Sequence, residues 1–268
     1  MNKVWNVIKR KLKEQRRTVL YYSIGLFIYA WTIIAIYPTM KDKVEFDKVF
    51  DAFPEEVTAL LGAGGVNMAE IEGFLTLEYL AIFFVLILAF FVAGSAGSTI
   101  AGAIERKTMD FQLSQPISRT TLLLSEASVT VIYTILLVAF NSAAMWILAQ
   151  FYDVELCLKG IIAFTILASA LMISIYGISI LLSSILRSRA VVITTTLFLI
   201  LTMHIFQSLT AIVETLKDYD HITLFYMYKP EPTLINAELD LTHMSIFFVI
   251  FVLGLFLATI IFNQKDIA

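Results

Sequence analysis

Apolar positions fall into six long runs separated by short polar breaks, at about 18–37, 79–103, 122–150, 160–186, 190–213 and 244–262. A helix rises about 1.5 Å per residue, so about 20 residues cross the hydrocarbon of a bilayer. Each run therefore predicts a transmembrane helix, with the longer ones tilted or projecting past the lipid. The third-to-fourth and fourth-to-fifth connections are only a few residues long, which makes those helices antiparallel neighbours. Two connections are longer, 38–78 and about 214–243. The first predicts a short helix over Pro54–Leu61, with proline at its first position, Glu55 and Glu56 in its first turn and Gly62 as its stop. Ahead of the first run, Met1, Val4, Trp5, Ile8 and Leu12 recur at helical spacing, with Lys3, Lys9, Arg10, Lys13 and Arg17 largely on other faces. Residues 1–17 thus predict an amphipathic helix lying among the inner headgroups, or more simply a basic flank.

The predicted fold is an all-α polytopic membrane protein. It has an interfacial helix (1–17), a six-span membrane domain (18–263) and a short tail (264–268). The chain has 268 residues, 59% hydrophobic and 15% charged, and the spans consume nearly all of it, leaving no separate globular domain. The basic segment before the first run is long and no small-residue cleavage site follows that run, so the run is expected to stay as an anchor.

Charge orients the chain. Thirteen of the 19 Lys and Arg residues lie in the N-terminal stretch, the second-to-third and fourth-to-fifth connections and the tail. The positive-inside bias puts both termini in the cytoplasm of a cell, expected to be prokaryotic, as a multi-pass protein of its plasma membrane. Seventeen of the 22 acidic residues fall on the other side, so a net charge of −3 conceals an inner face of +8 and an outer face of −11. The outer acidity reads as the complement of this sorting, or as a means of concentrating cationic peptides.

Several chemistries are absent from the pattern. None of the 11 glycines is followed by lysine, which excludes a phosphate-binding GxxxxGK[ST] loop. His204, His221 and His243 are far apart and form no HExxH. The single cysteine, Cys157, reads as a small buried hydrophobe. "AGSAGS" (93–98) with His204 leaves an intramembrane serine hydrolase as one alternative. The stripes Ala93, Gly97, Ala101 and Gly94, Ser98, Gly102 instead repeat every four residues, the signature of close helix packing in lipid. Asn141, His204 and Gln207, polar and within spans, are candidates for a transport path or for interhelical hydrogen bonds. Glu126, four residues into the third span, is expected near the inner headgroups.

The charged interruption at 104–121 remains. A polar, potentially helical piece (Glu105–Leu113) is followed by a break at "SQP", and "ISR" then leads straight into apolar sequence. A rigid cytoplasmic lever between two spans would have this form. "STIAGAIERKTMDFQLSQPISRTTLLLSE" (98–126) resembles the coupling-helix region of the ATP-binding-cassette exporter permeases of the type-2 membrane family. The match runs through Ile100, Ala101, Gly102, Glu105, Thr108, Leu113, Ser114, Gln115, Pro116, Ile117, Ser118 and Arg119. Ala103 stands where that family usually has glutamate, Lys107 where it has glycine, and Glu126 where lysine is common.

The resemblance implies a permease whose ATPase subunit is a separate P-loop chain, two copies pairing with two permeases, either identical or paralogous. ATP and Mg would bind that partner, with no cofactor on this chain, membrane lipid around it and no nucleic acid. Glu105, Arg106, Lys107, Thr108, Asp110, Gln115 and Arg119 would contact the ATPase, and Pro116 would fix the bend. The cargo would be amphipathic or hydrophobic, such as a peptide antibiotic, drug or lipid. A membrane scaffold or sensor that does not transport is the alternative from another class.

Overall fold

The computed structural model describes residues 2–43, 70–109 and 117–265, and they are helical with no strand among them. Helix α1 spans Asn2–Lys43 without interruption. The expected interfacial segment and first span are thus one rod, because nothing between them breaks a helix. Pro38 lies inside its last turns, where it removes only its own N–H from the ladder.

The second span is bent. Helix α2, Ile71–Leu75, opens into a wide turn at Thr76–Leu80, and α3, Phe83–Thr99, resumes beyond it at 42°. A short α4, Ala101–Glu105, continues past Ile100. Three long helices follow: α5 (Arg119–Phe151), α6 (Leu158–Ile185) and α7 (Arg189–Ile212). A tighter helical segment, Glu214–Ile222, leads through α8 (Leu224–Met227) and α9 (Pro230–Asn236) to the last long helix, α10 (Leu241–Gln264). Among the described residues five helices are long and apolar enough to cross a membrane, or six with the α2–α3 pair taken as one span. The expected helix at Pro54–Leu61 and residues 110–116 of the charged interruption lie outside the described residues.

Helix α6 is the centre of the bundle, packed by α3, α5, α7, α9 and α10. The short connections make α5 with α6, and α6 with α7, the antiparallel neighbours that their lengths predict. Small residues set the closest approaches. A Cβ at Gly177 of α6 would lie 2.6 Å from the Phe251 Cα of α10, and Gly254 meets the Gly177 backbone in return. The Gly94, Gly97 and Gly102 stripe faces α7, receiving Arg189, Val192 and Ile193.

These elements share two ends. One gathers the start of α1, α4, the start of α5, the α6–α7 turn and the end of α10; it carries most of the Lys and Arg and is called the basic end below. The opposite end carries the α5–α6 turn, α8 and α9. Cys157, preceding α6 there, is exposed and not the buried hydrophobe its isolation suggests. Backbone N–H groups of Gly160 and Lys159 hold its thiol below the ordinary range.

Candidate functional site

The inward stripe of α1 runs back from Tyr37 through Ile34, Ala30 and Leu26, then past Tyr22 and Val19 to Gln15, Lys11 and Val7. Its apolar half packs on the core; its polar half carries a charged group inside. Lys11 is 4% exposed and Glu126, on the inward stripe of α5, is 3% exposed. Glu126 is thus enclosed between helices at the basic end.

Its two carboxylate oxygens accept from Lys11 Nζ at 2.9 Å and from the Arg10 guanidinium at 3.1 Å. Lys11 also donates to Thr99 Oγ1 at 3.3 Å. One turn deeper, the Gln15 amide reaches the hydroxyls of Ser95 and, at 3.5 Å, Thr130, which are 2.7 Å from each other. Three helices, α1, α3 and α5, are joined by these bonds. The Tyr133 hydroxyl adds a bond to the Leu12 carbonyl at 2.9 Å. These bonds offset much of the cost of burying the ion pair, with Arg10 Nε and Gln15 Oε1 left without a hydrogen-bond partner.

Around this cluster, side chains of the basic end cap one another's helices. The Glu105 carboxylate accepts from the Arg189 backbone N–H at 3.0 Å and from the Ser188 hydroxyl at 2.9 Å, an anion at the start of α7. Those two bonds hold its carboxyl below the usual range. Ser118 caps α5 by accepting from the Thr121 N–H at 3.1 Å. Arg119 donates to the carbonyls of Lys265 at 2.8 Å and Phe262 at 3.0 Å, closing the end of α10. Lys265 donates to the Ser184 carbonyl at 2.8 Å, at the end of α6. Cations thus sit at helix C-termini and an anion at an N-terminus, as the backbone dipoles favour.

Between Glu105 and Ser118, Arg106, Lys107 and Thr108 are exposed. Thr108 bonds the Ala103 carbonyl at 3.2 Å. Lys107 has φ 54°, a left-handed backbone. Asp110, Gln115 and Pro116 lie outside the described residues.

The three intramembrane candidates do not come together. Asn141 is fully buried and accepts from the Tyr79 hydroxyl at 2.6 Å, beside the break of the second span. The turn's carbonyls are satisfied nearby, Glu78 by Tyr29 at 3.1 Å and Leu80 by Tyr228 at 3.1 Å. Non-helical backbone at membrane depth needs such partners. His204 rests edge-on to Phe225 at 5.0 Å, and Gln207 accepts from Thr223, both joining α7 to the α8 region.

Residues 46–268 match the family model described as "Protein of unknown function (DUF2705)". The chain belongs to that family. No curated protein matches it.

In this DUF2705 chain the bonding partners of Ser95 are Gln15 and Thr130, not His204. Gly94 meets α7 at Arg189 and Ile193, and His204 lies eleven residues farther along, about 16 Å away on a helix. The charged cluster escapes a reading of 1–17 as a surface helix. Its signal is the spacing itself: extending the inward stripe of the first span backwards in steps of three and four lands on Gln15 and Lys11.

Proposed function

We propose that the chain is the permease subunit of an ATP-driven exporter, moving an amphipathic or hydrophobic molecule at the expense of ATP hydrolysed on a separate P-loop subunit. The observation that carries the reading is how the ends of the 104–121 segment are tied. Glu105 is bonded to the start of α7, Ser118 caps α5, and Arg119 holds the end of α10. A push on the intervening segment would therefore reach three spans at once. That is the mechanical requirement for a coupling element.

The sequence resemblance of 98–126 to type-2 exporter permeases supports the same reading. Lys107, at the position where those permeases carry glycine, has the left-handed backbone that glycine favours. In this reading the basic end faces the cytoplasm of a prokaryotic cell, two ATPase subunits dock there with ATP and Mg, and a second permease completes the assembly. Glu105 and Arg119 transmit the movement through their bonds, while Arg106, Lys107, Thr108, Asp110 and Gln115 meet the ATPase. Ser95 bonds Gln15 and Thr130 and not His204, which favours the permease reading over an intramembrane hydrolase.

The test is co-purification from native membranes. A P-loop ATPase is expected to co-elute with the wild type and to be lost with Lys107→Glu plus Asp110→Lys. Equal recovery with both chains would contradict the docking assignment.

A further inference from the structure

Beside the charged cluster a cleft of about 240 Å³ opens between α1 and α7, floored by α3. Its polar side is lined by Lys11, Gln15, Arg106 and Arg189, and its deeper side by Tyr22, Phe90 and Phe91. Lys11 is neutralised by Glu126, and Glu14, also on the rim, lies 3.7 Å from Arg10. Arg106 and Arg189 remain. Among the described residues neither guanidinium has a carboxylate within ion-pairing distance; the Glu105 carboxylate, bonded to the Ser188 hydroxyl and the Arg189 backbone, is near enough to interact with both through space. The Arg189 side chain lies along the glycine stripe, its tip 3.5 Å from where a Gly94 Cβ would stand.

Gln15, 8% exposed, supplies a second sign of a missing partner. Its Nε2 is held by Ser95 and Thr130, while its Oε1 has no hydrogen-bond partner and, as an acceptor, would take a hydroxyl of a glycerol headgroup and not a phosphate oxygen. Buried amides are ordinarily satisfied at both ends.

We propose that this cleft binds the phosphate of an anionic membrane phospholipid. Two unpaired guanidiniums present forked donors of the geometry that phosphate oxygens accept. The volume is below the roughly 300–1,000 Å³ of small-molecule pockets, so it takes a headgroup and leaves the rest of the molecule outside. Beyond the cations the wall turns aromatic, with Phe90 50% exposed and Tyr22 edge-on to Phe91 at 5.5 Å. That change from charge to ring faces over one cleft matches a lipid entering head-first, and a free phosphate ion would not use it. The site stands whether or not the chain is an export permease.

Native mass spectrometry of the full chain, released from nanodiscs of phosphatidylcholine and phosphatidylglycerol, tests this. One phosphatidylglycerol per chain is expected to stay bound, at least tenfold in preference to phosphatidylcholine. Arg106→Gln with Arg189→Gln is expected to reduce retention at least tenfold. Arg16→Gln with Arg17→Gln, which removes exposed cations of the same end, is expected to leave it unchanged. Arg106→Gln alone alters an exposed side chain outside the packed core, so its partial loss reads the site even if the double variant folds poorly. Undiminished retention in Arg106→Gln and the double variant, or equal retention of the two lipids, would overturn the site. Displacement of the lipid by millimolar inorganic phosphate would overturn its assignment to lipid.

Discussion

Two buried polar clusters among the described residues are built on opposite logic. At the basic end, Lys11, Arg10 and Glu126 join α1 to α5 through full charges. Toward the other end, Tyr79, Asn141, Tyr29 and Tyr228 repair the broken second span with neutral groups. The first cluster fixes one helix against its neighbours; the second fixes a defect within one helix. Charges suit the former because a wrong placement of α1 would strand an ion in a low-dielectric interior. Hydroxyls such as those of Tyr29 and Tyr228 suit the latter because carbonyls freed at a bend need only donors.

The largest effect separating the two clusters is expected from Glu126→Gln. It leaves Lys11 buried without its counter-charge, which costs about 3–5 kcal/mol for a pair of this kind. Reversible unfolding in mixed micelles measures it. Combining Lys11→Met with Glu126→Leu is expected to recover most of that loss, since Arg10 is only half-buried and can turn outward. If the double variant is no better than Glu126→Gln, the charges are not a coupled pair.

The neutral cluster is expected to be less sensitive. Asn141→Leu leaves the Tyr79 hydroxyl buried without its acceptor, a loss of about 1–3 kcal/mol by the same unfolding assay. A cost matching that of Glu126→Gln would erase the distinction between the clusters.

The exposed loop is expected to respond in the opposite direction. A non-glycine residue in the left-handed region costs about 1–2 kcal/mol, so Lys107→Gly is expected to raise stability by up to about 1 kcal/mol. Loss of stability would show that the Lys107 side chain makes a compensating contact.

The smallest effect concerns pH. Glu105 has its folded pKa depressed by the bonds from Arg189 and Ser188, so its contribution is present above the ordinary carboxylate value of about 4.3 and is lost as pH falls through the lower folded value. Amide exchange at the start of α7 is expected to quicken below about pH 4 in the wild type. In Glu105→Gln that acceleration is expected to be absent.

Much of the fold was legible in the chain because a bilayer imposes length and apolarity on every crossing. The third to sixth spans begin and end within a few residues of their apolar runs. The glycine and serine stripe of the second span was legible as packing, since only small residues repeated there. The bend at Ala81 and Ile82 was not, because no proline or glycine marks it and its stabilising tyrosines come from α1 and the region after α8. The helix caps were hidden for a related reason: Glu105 and Arg119 read as contacts for an ATPase until the helices they cap lie beside them. Gly177 and Gly254 stand in two separate apolar runs, and only the crossing of α6 and α10 reveals why each must be small.

Docking of an ATPase on the segment between Glu105 and Ser118 is tested most directly by cross-linking at Lys107. A photo-reactive residue at position 107, activated in native membranes, is predicted to give one adduct with a nucleotide-binding P-loop protein. The same probe at Tyr219, exposed at the opposite end, is predicted to give none. No P-loop protein in the adducts at 107, or the same adduct from both positions, would contradict the account.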